Sequence, residues 1–239
     1  MPMTIDNMEV VERICVALGC DISDVMEMLP DKDQMEDAAM PQELQYTSSI
    51  KDMPLMFSEM KRTAILLSEG KTGDEIVRLS MENNIYQLNK EKRRRDVPLR
   101  MIKRLSAIDK PLVEALANGS DEEAKLIAFF ALMKADRLLF EYMDEVYSDR
   151  YHAGVDEITE KDFLDFIERK AQNSETVAKW STENLKNIRG KIKSALCDAG
   201  LGKRKGDSLM IQRPIVDDEL RRLFSEADKI YLKAMLMEV

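Results

Sequence analysis

The sequence predicts a mainly α-helical protein, in which a helical region is followed by a winged-helix-like C-terminal region with one small β-hairpin. Three observations favour helices over sheets. Apolar side chains recur at intervals of three and four residues through most of the 239 residues. The chain contains only 9 glycines and 7 prolines but 17 methionines. A convincing β-like run occurs in one place, over residues 208–215.

The N-terminal half divides into a short helical fragment, a linker and a series of helices. Residues 1–30 follow the helical period, and residues 31–45 form an acidic linker with little to bury. Residues 46–155 are expected to form the helical first part of the main domain. In this part helices follow residues that suit a helix start, namely Pro54, Thr72, Asp96, Asp109 and Ser120.

Two of these helices matter for function or for the core. Asp96 is expected to cap a helix with Pro98 in its first turn, so that Arg93, Arg94 and Arg95 lie at or before the helix start. The helix after Ser120 contains residues 126–133, which are too apolar for a surface element. We therefore expect it to be the central core helix, with a continuation through Met143.

The last part, residues 156–239, has a different order of elements: helix, short helix, long helix, basic turn and strand. A helix opens at Thr159, a short helix covers residues 174–178, and Ser181 caps the long helix. Residues 203–207 are expected to form the turn before the strand. This order suits a winged helix-turn-helix. An ordinary helical hairpin with a solvated outer face fits the pattern nearly as well.

The charge of the chain is distributed unevenly. Residues 1–45 contain 2 basic and 11 acidic residues, whereas the remainder contains 34 of each, so the formal net charge of −9 belongs to the N-terminal fifth. Within the neutral remainder, residues 86–104 contain eight basic and two acidic residues, and so do residues 179–205. Local fields rather than net charge attract a polyanion. Each basic run is either a phosphate-binding surface or a solvated helix face, and the sequence leaves both open.

Composition and motifs exclude several classes of protein. The longest apolar run, residues 126–133, is far shorter than the roughly 20 residues that cross a membrane, and no signal-peptide pattern is found. The three cysteines form no CxxC pair, which predicts reduced thiols and a cytoplasmic location. P-loop, GxGxxG and GxSxG motifs are missing, and His152 is the single histidine. We therefore expect no enzymatic activity, no metal and no cofactor.

The order of several segments carries a family resemblance. The most telling are Thr159–Lys170 (TEKDFLDFIERK) and Val177–Ser181 (VAKWS), and they are accompanied by Tyr46–Ile50 (YTSSI), Glu82–Gln87 (ENNIYQ), Arg104–Asp109 (RLSAID) and Leu132–Glu145. From residue 46 onward the chain resembles the BrxA family of BREX (bacteriophage exclusion) defence systems. The resemblance implies an α-helical protein that binds DNA, has no enzymatic activity of its own and works beside other BREX proteins.

A second resemblance concerns the N-terminal fragment. Residues 8–29 resemble the C-terminal end of a Cro/C1-type helix-turn-helix regulator, but the helices that would read DNA are not part of the segment. No DNA-recognition residue can be assigned there. Exposed apolar faces on such a fragment need a partner, either the main domain or another copy, which leaves a homo-oligomer open.

The leading prediction is a non-enzymatic, double-stranded DNA-binding component of a BREX antiviral system. The residues expected to face the major groove are Ser181, Thr182, Asn184, Lys186, Asn187 and Arg189. Lys203, Arg204 and Lys205 are expected to contact phosphates, and Arg93, Arg94 and Arg95 to form a second phosphate-binding patch. The alternatives are a protein–protein adaptor within the defence complex and a small transcriptional regulator.

Overall fold

The computed structural model describes residues 44–237. The predicted fragment of residues 1–30 and nearly all of the predicted linker of residues 31–45 lie outside the described residues. The α-helices are α1 (Phe57–Ser68), α2 (Gly73–Asn83), α3 (Glu91–Leu105), α4 (Lys110–Asn118), α5 (Asp121–Lys134), α6 (Arg137–Tyr142), α7 (Asp149–His152), α8 (Glu160–Asn173), α9 (Glu175–Ala178), α10 (Thr182–Asp198), α11 (Asp218–Arg221) and α12 (Lys229–Ala234). The strands are β1 (Glu157–Ile158), β2 (Gly202–Lys205) and β3 (Ser208–Ile211).

Shorter helical turns connect these elements. Ser49–Lys51 and Glu226–Asp228 are 3₁₀ turns, and Met143–Ser148 is a π-helical segment between α6 and α7. The mainly helical fold class is therefore confirmed. The predicted boundary between residues 155 and 156 stays a prediction.

Several helices begin at the predicted capping residues. Thr72 and Ser120 each accept a hydrogen bond from the backbone N–H three residues later, and the Glu at that position bonds back to the capping residue. Ser181 likewise accepts from the backbone N–H of Asn184 at the start of α10. These bonds satisfy N–H groups that a helix start leaves without partners inside the helix.

Helix α5 lies at the centre of the core, as predicted. Every residue from Leu126 to Met133 is buried, so the helix has no solvated stripe along this stretch. The expected continuation through Met143 is wrong, because the chain breaks at Ala135 and Asp136. The Asp136 carboxylate caps α6 by accepting from the backbone N–H of Leu139 at 3.1 Å.

Helix α3 begins earlier than the sequence predicts. It starts at Glu91, not after Asp96, so Arg93, Arg94 and Arg95 lie inside the helix and Pro98 lies in its interior. A proline has no N–H to donate to the carbonyl four residues earlier, here that of Arg94. The buried hydroxyl of Ser80 on α2 donates to this carbonyl oxygen at 2.5 Å. The lost helical bond is thus replaced from the neighbouring helix, which lets α3 run through the proline.

The small sheet contains one strand more than the predicted hairpin. Its order is β1-β3-β2, and both pairings are antiparallel. The basic residues 203–205 lie on strand β2 and not in a turn; the turn consists of Gly206 and Asp207, and β3 ends at Ile211 rather than at residue 215. Gly206 adopts a left-handed conformation with φ of 57°, which glycine tolerates without steric cost.

Candidate nucleic-acid interface

Helix α10 separates a buried apolar face from an exposed basic one. Ile188, Ile192 and Leu196 are essentially inaccessible to solvent and fix the helix against the core. On the opposite side, the exposed residues follow the helical period: Thr182, Glu183, Lys186, Asn187, Gly190 and Lys191, so that one acidic residue lies beside the two lysines. The predicted residues Thr182, Lys186 and Asn187 therefore share an exposed face. Lys191, which the predicted set omits, belongs to the same face.

Three of the predicted α10 residues have other roles or surroundings. Ser181 is the exposed capping residue. Asn184 is half-buried. Arg189 forms an ion pair with Glu160 at the start of α8, with 2.8 Å between guanidinium nitrogen and carboxylate oxygen. This pair neutralises Arg189 and directs it toward α8 rather than along the exposed lysines.

Strand β2 divides its three basic residues between two faces of the sheet, because successive side chains of a strand alternate. Arg204 stands opposite Leu209, which is buried, so Arg204 lies on the side that faces α10. There its guanidinium donates to the Ser194 hydroxyl at 2.6 Å. Lys203 and Lys205 lie on the outer side.

The outer face of the sheet also carries an acidic residue. Glu157 of β1 pairs with Lys205 at 3.1 Å. The Ser208 hydroxyl and the Lys205 ammonium hold the pKa of Glu157 below its ordinary value. Lys203 is exposed and forms no ion pair within residues 44–237. Of the predicted wing residues, Lys203 is therefore the one most available to an anionic partner.

The β2–β3 hairpin is fixed to α10 and to the core at several points. Lys193 of α10 donates to the carbonyl oxygen of Gly206 in the turn at 2.9 Å. At the base of the hairpin, the buried hydroxyl of Tyr147 lies 2.7 Å from the carbonyl oxygen of Leu201 and 2.9 Å from that of Gln212. The basic strand therefore has a defined position beside the basic helix.

The three consecutive arginines of α3, Arg93 to Arg95, do not form one patch, because neighbouring helix residues point about 100° apart. Arg93 is exposed and lines a cavity of about 380 Å³. Arg94 turns back and donates to the carbonyl oxygen of Leu88 at 2.9 Å. Arg95 is exposed and pairs with Asp96 at 3.2 Å.

The cavity beside α3 is lined by more cationic side chains than the prediction named. The full lining consists of Ser49, Asp52, Met53, Lys90, Lys92, Arg93, Asp96 and Arg100. Four basic and two acidic residues meet there, and the first turn of α3 adds backbone N–H groups. Such a surface can hold a phosphate group. Lys90, Lys92 and Arg100 belong to the basic run in the sequence, but only the folded chain shows that they surround one cavity.

Arg104, counted with the basic run in the sequence, is fully buried and cannot contribute to this surface. Its guanidinium donates to the carbonyl oxygens of Met53 and Pro54, the latter at 2.7 Å. Burial lowers the pKa of Arg104 to about 10, so the side chain is still cationic near neutral pH. Arg104 therefore anchors the segment of residues 49–55.

That segment lies between the two basic surfaces. The 3₁₀ turn Ser49–Lys51 packs against α10, and Ile50 in it is fully buried. Ser49, Asp52 and Met53 of the same segment line the α3 cavity. The two basic runs lie at least 75 positions apart in the sequence and are joined in the fold through one short anchored segment.

Between residues 44 and 237, no three His, Cys, Asp or Glu side chains lie close enough together to hold a metal ion. Across the same range, none of the helices is both long enough and apolar enough to cross a bilayer.

This geometry defines a class of protein: a helical protein in which an exposed basic helix lies beside a basic strand. A family model described as BrxA matches residues 44–228. The curated "BREX protein BrxA" of Bacillus cereus (strain H3081.97) is 33% identical over 200 residues, which cover 83% of this chain and 100% of the relative. The chain therefore belongs to the BrxA family.

A solved structure shares the fold. The crystal structure of an uncharacterized protein from Magnetospirillum magneticum matches with a TM-score of 0.68 at 20% sequence identity. The match covers 80% of this chain and 98% of that one. The similarity to Cro/C1-type regulators concerns residues outside the described part of the chain and stays a prediction.

Proposed function

We propose that this BrxA-family chain is a double-stranded DNA-binding component of a BREX phage-defence system and has no enzymatic activity of its own. The observation that carries the proposal is the exposed basic face of α10 beside the basic strand β2. The BREX assignment is supported by the name of the Bacillus cereus relative. The DNA-binding assignment is supported by the surface itself.

We interpret α8, α9, α10 and the three strands as a winged helix-turn-helix. In that arrangement a short helix precedes a longer recognition helix, and a hairpin beside the longer helix forms the wing. Here α9 has four residues, α10 has seventeen and β2–β3 follow it directly. Helix α10 would occupy the major groove, and the hairpin would lie along the adjacent sugar–phosphate backbone.

The side chains differ in what they offer to DNA. Asn187, exposed on α10, has both a donor and an acceptor and can read the edge of a base. Lys186, Lys191 and Lys203 are exposed cations that position the protein against phosphates. Arg189 contributes less than predicted, because Glu160 already neutralises it.

The α3 cavity supplies a second contact region. It presents Lys90, Lys92, Arg93 and Arg100 and is joined to α10 through the segment of residues 49–53. A duplex held on α10 that also contacts this cavity would be bound over a longer stretch than a single helix covers. Contacts of this kind add affinity without adding sequence specificity.

One observation favours the second candidate, a protein–protein adaptor. Ile215 is fully exposed and lines a cavity of about 630 Å³ together with Ile211 and Pro214. Fully exposed large apolar side chains next to a cavity are more typical of protein contacts than of DNA contacts.

A competition experiment separates the two candidates. A fluorescently labelled 30-base-pair duplex bound to the full chain is displaced by unlabelled duplex or by heparin at equal charge concentration. A DNA-binding protein is displaced by duplex at markedly lower concentration, since the groove and backbone geometry are matched. Equal displacement by both polyanions, or no binding of the duplex, would favour the adaptor.

A further inference from the structure

Gly190 occupies an unfavourable position. It lies in the middle of α10, whose helix runs from Thr182 to Asp198. Glycine is, after proline, the least favourable residue inside a helix, because it loses the most backbone freedom on folding. A glycine at such a position therefore weakens the helix unless it has a compensating role.

The described part of the chain supplies no reason for this glycine. Gly190 does not have a positive φ, and a Cβ atom built on it would meet no atom of residues 44–237 within 4 Å. Two nearby glycines differ in this respect. Gly200 has φ of 76°, and a Cβ on Gly202 would come within 2.6 Å of the Leu209 side chain. The fold favours glycine at those two positions, whereas nothing within residues 44–237 requires glycine at position 190.

The surroundings of Gly190 indicate what approaches it. Lys186 and Asn187 precede it by about one helical turn, and Ser194 follows by one turn, so all of them share its face. The wing residue Arg204 donates to Ser194 and thus lies at the next turn of the helix. Gly190 is therefore a gap without a side chain between the cations of α10 and those of the hairpin.

We propose that Gly190 is the point of closest approach between α10 and duplex DNA. This inference rests on the proposed function. A helix can lie deeper in the major groove where a side chain is missing, and the side chains on either side then reach base edges and phosphates. The centre of recognition is accordingly placed around Asn187 and Gly190 rather than at the helix start.

The test replaces Gly190 in the full chain by two better helix formers, Gly190→Ala and Gly190→Leu. Duplex binding is measured by fluorescence anisotropy with the labelled 30-base-pair duplex, and thermal unfolding is followed for the same samples. Ser68→Leu, an enlargement at an exposed helix end remote in sequence from α10, is the matched control. We expect Gly190→Ala to raise Tm by about 2–4 °C, since alanine favours the helix.

The same substitutions are expected to weaken DNA binding. Gly190→Ala raises Kd by about fivefold and Gly190→Leu by more than about tenfold, whereas Ser68→Leu leaves Kd unchanged. Wild-type binding together with unchanged Kd for both variants overturns this inference and leaves the proposed function standing. A fall in Tm for Gly190→Ala also overturns it, because the fold would then require the glycine. A folded wild-type chain that does not bind the duplex overturns both proposals.

Discussion

The hydroxyl of Tyr147 donates a hydrogen bond to the carbonyl oxygen of Leu201 at 2.7 Å, at the point where the chain enters strand β2. The carbonyl oxygen of Gln212, where the chain leaves β3, lies within 2.9 Å of the same hydroxyl. Tyr147 belongs to the π-helical segment and is fully buried. One side chain of the core thus holds both ends of the basic hairpin.

Replacing Tyr147 by phenylalanine tests this relationship. The Leu201 carbonyl oxygen keeps the Gln212 N–H at 3.0 Å, but the change removes the hydroxyl that lies near both this oxygen and the Gln212 carbonyl oxygen. We therefore expect the free energy of unfolding to fall by about 1 kcal/mol. The hairpin loses one of its anchors, and we expect duplex affinity to fall as well. Urea unfolding and anisotropy titration measure the two effects. Tyr151→Phe is the control, since the Tyr151 hydroxyl makes no hydrogen bond within residues 44–237; equal losses in both variants would contradict the account.

A buried ion cluster joins the N-terminal segment to α6 and α8. Glu141 accepts hydrogen bonds from Tyr46 at 2.7 Å and Arg137 at 2.8 Å, and its carboxylate lies 2.7 Å from the Lys170 ammonium. Burial alone would raise the pKa of Glu141, but the bonds from Lys170, Arg137 and Tyr46 outweigh it and lower the pKa. The stabilisation is therefore present above the ordinary glutamate pKa and is lost as the pH falls through the lowered value.

Glu141→Gln removes the charge that balances Lys170 and Arg137. We expect the variant to be less stable by about 2 kcal/mol at pH 7, because Lys170 and Arg137 lose a charged hydrogen-bond acceptor, while Lys170 keeps its ion pair with Glu145. Below about pH 4.5 the wild type loses stability and the difference between the two proteins shrinks. Urea unfolding at pH 7 and at pH 3.5 measures this. A difference that is the same at both pH values would show that the charge of Glu141 is not its cause.

The ion pair of Arg189 on α10 leads to a prediction of tighter, rather than weaker, duplex binding. Glu160→Gln releases Arg189 from its 2.8 Å ion pair and removes a negative charge near α10. We expect tighter duplex binding and a log–log salt dependence steeper by about one unit, because one more cation can meet a phosphate. Glu168→Gln removes a charge from the same helix without freeing an arginine and serves as the control in the anisotropy titration. Identical effects of the two substitutions on duplex affinity would show that the net charge of the protein, and not the release of Arg189, changes the affinity.

Helix starts were predicted correctly from the sequence where a single capping residue determines them. Thr72, Ser120 and Ser181 accept a hydrogen bond from a backbone N–H within their own first turn, so a local pattern is sufficient. The start at Asp96 was wrong for a nonlocal reason. The carbonyl that Pro98 leaves without a donor is satisfied by Ser80 from another helix, and no local pattern shows that hydroxyl.

The candidate site was only partly predictable for similar reasons. A count of charges in the sequence treats every arginine as exposed. Arg104 is buried, however, and its guanidinium donates to carbonyl oxygens of residues about 50 positions earlier in the chain. Strand β1 has two residues, too few for an alternating pattern, and it pairs with β3 about 50 positions later. The exposed face of α10 was predictable, because it follows from the helical period alone.

The most direct test of DNA binding by α10 and the hairpin is the salt dependence of duplex affinity, measured by anisotropy. The triple variant K186A/K191A/K203A removes three exposed lysines of the proposed interface. The control K71A/K110A/K229A removes three exposed lysines elsewhere, with the same change in net charge. We predict that the interface variant flattens the log–log salt slope by about 2–3 units, whereas the control changes it little. Equal slopes for the two variants, or no duplex binding by the folded wild type at low salt, would contradict the account.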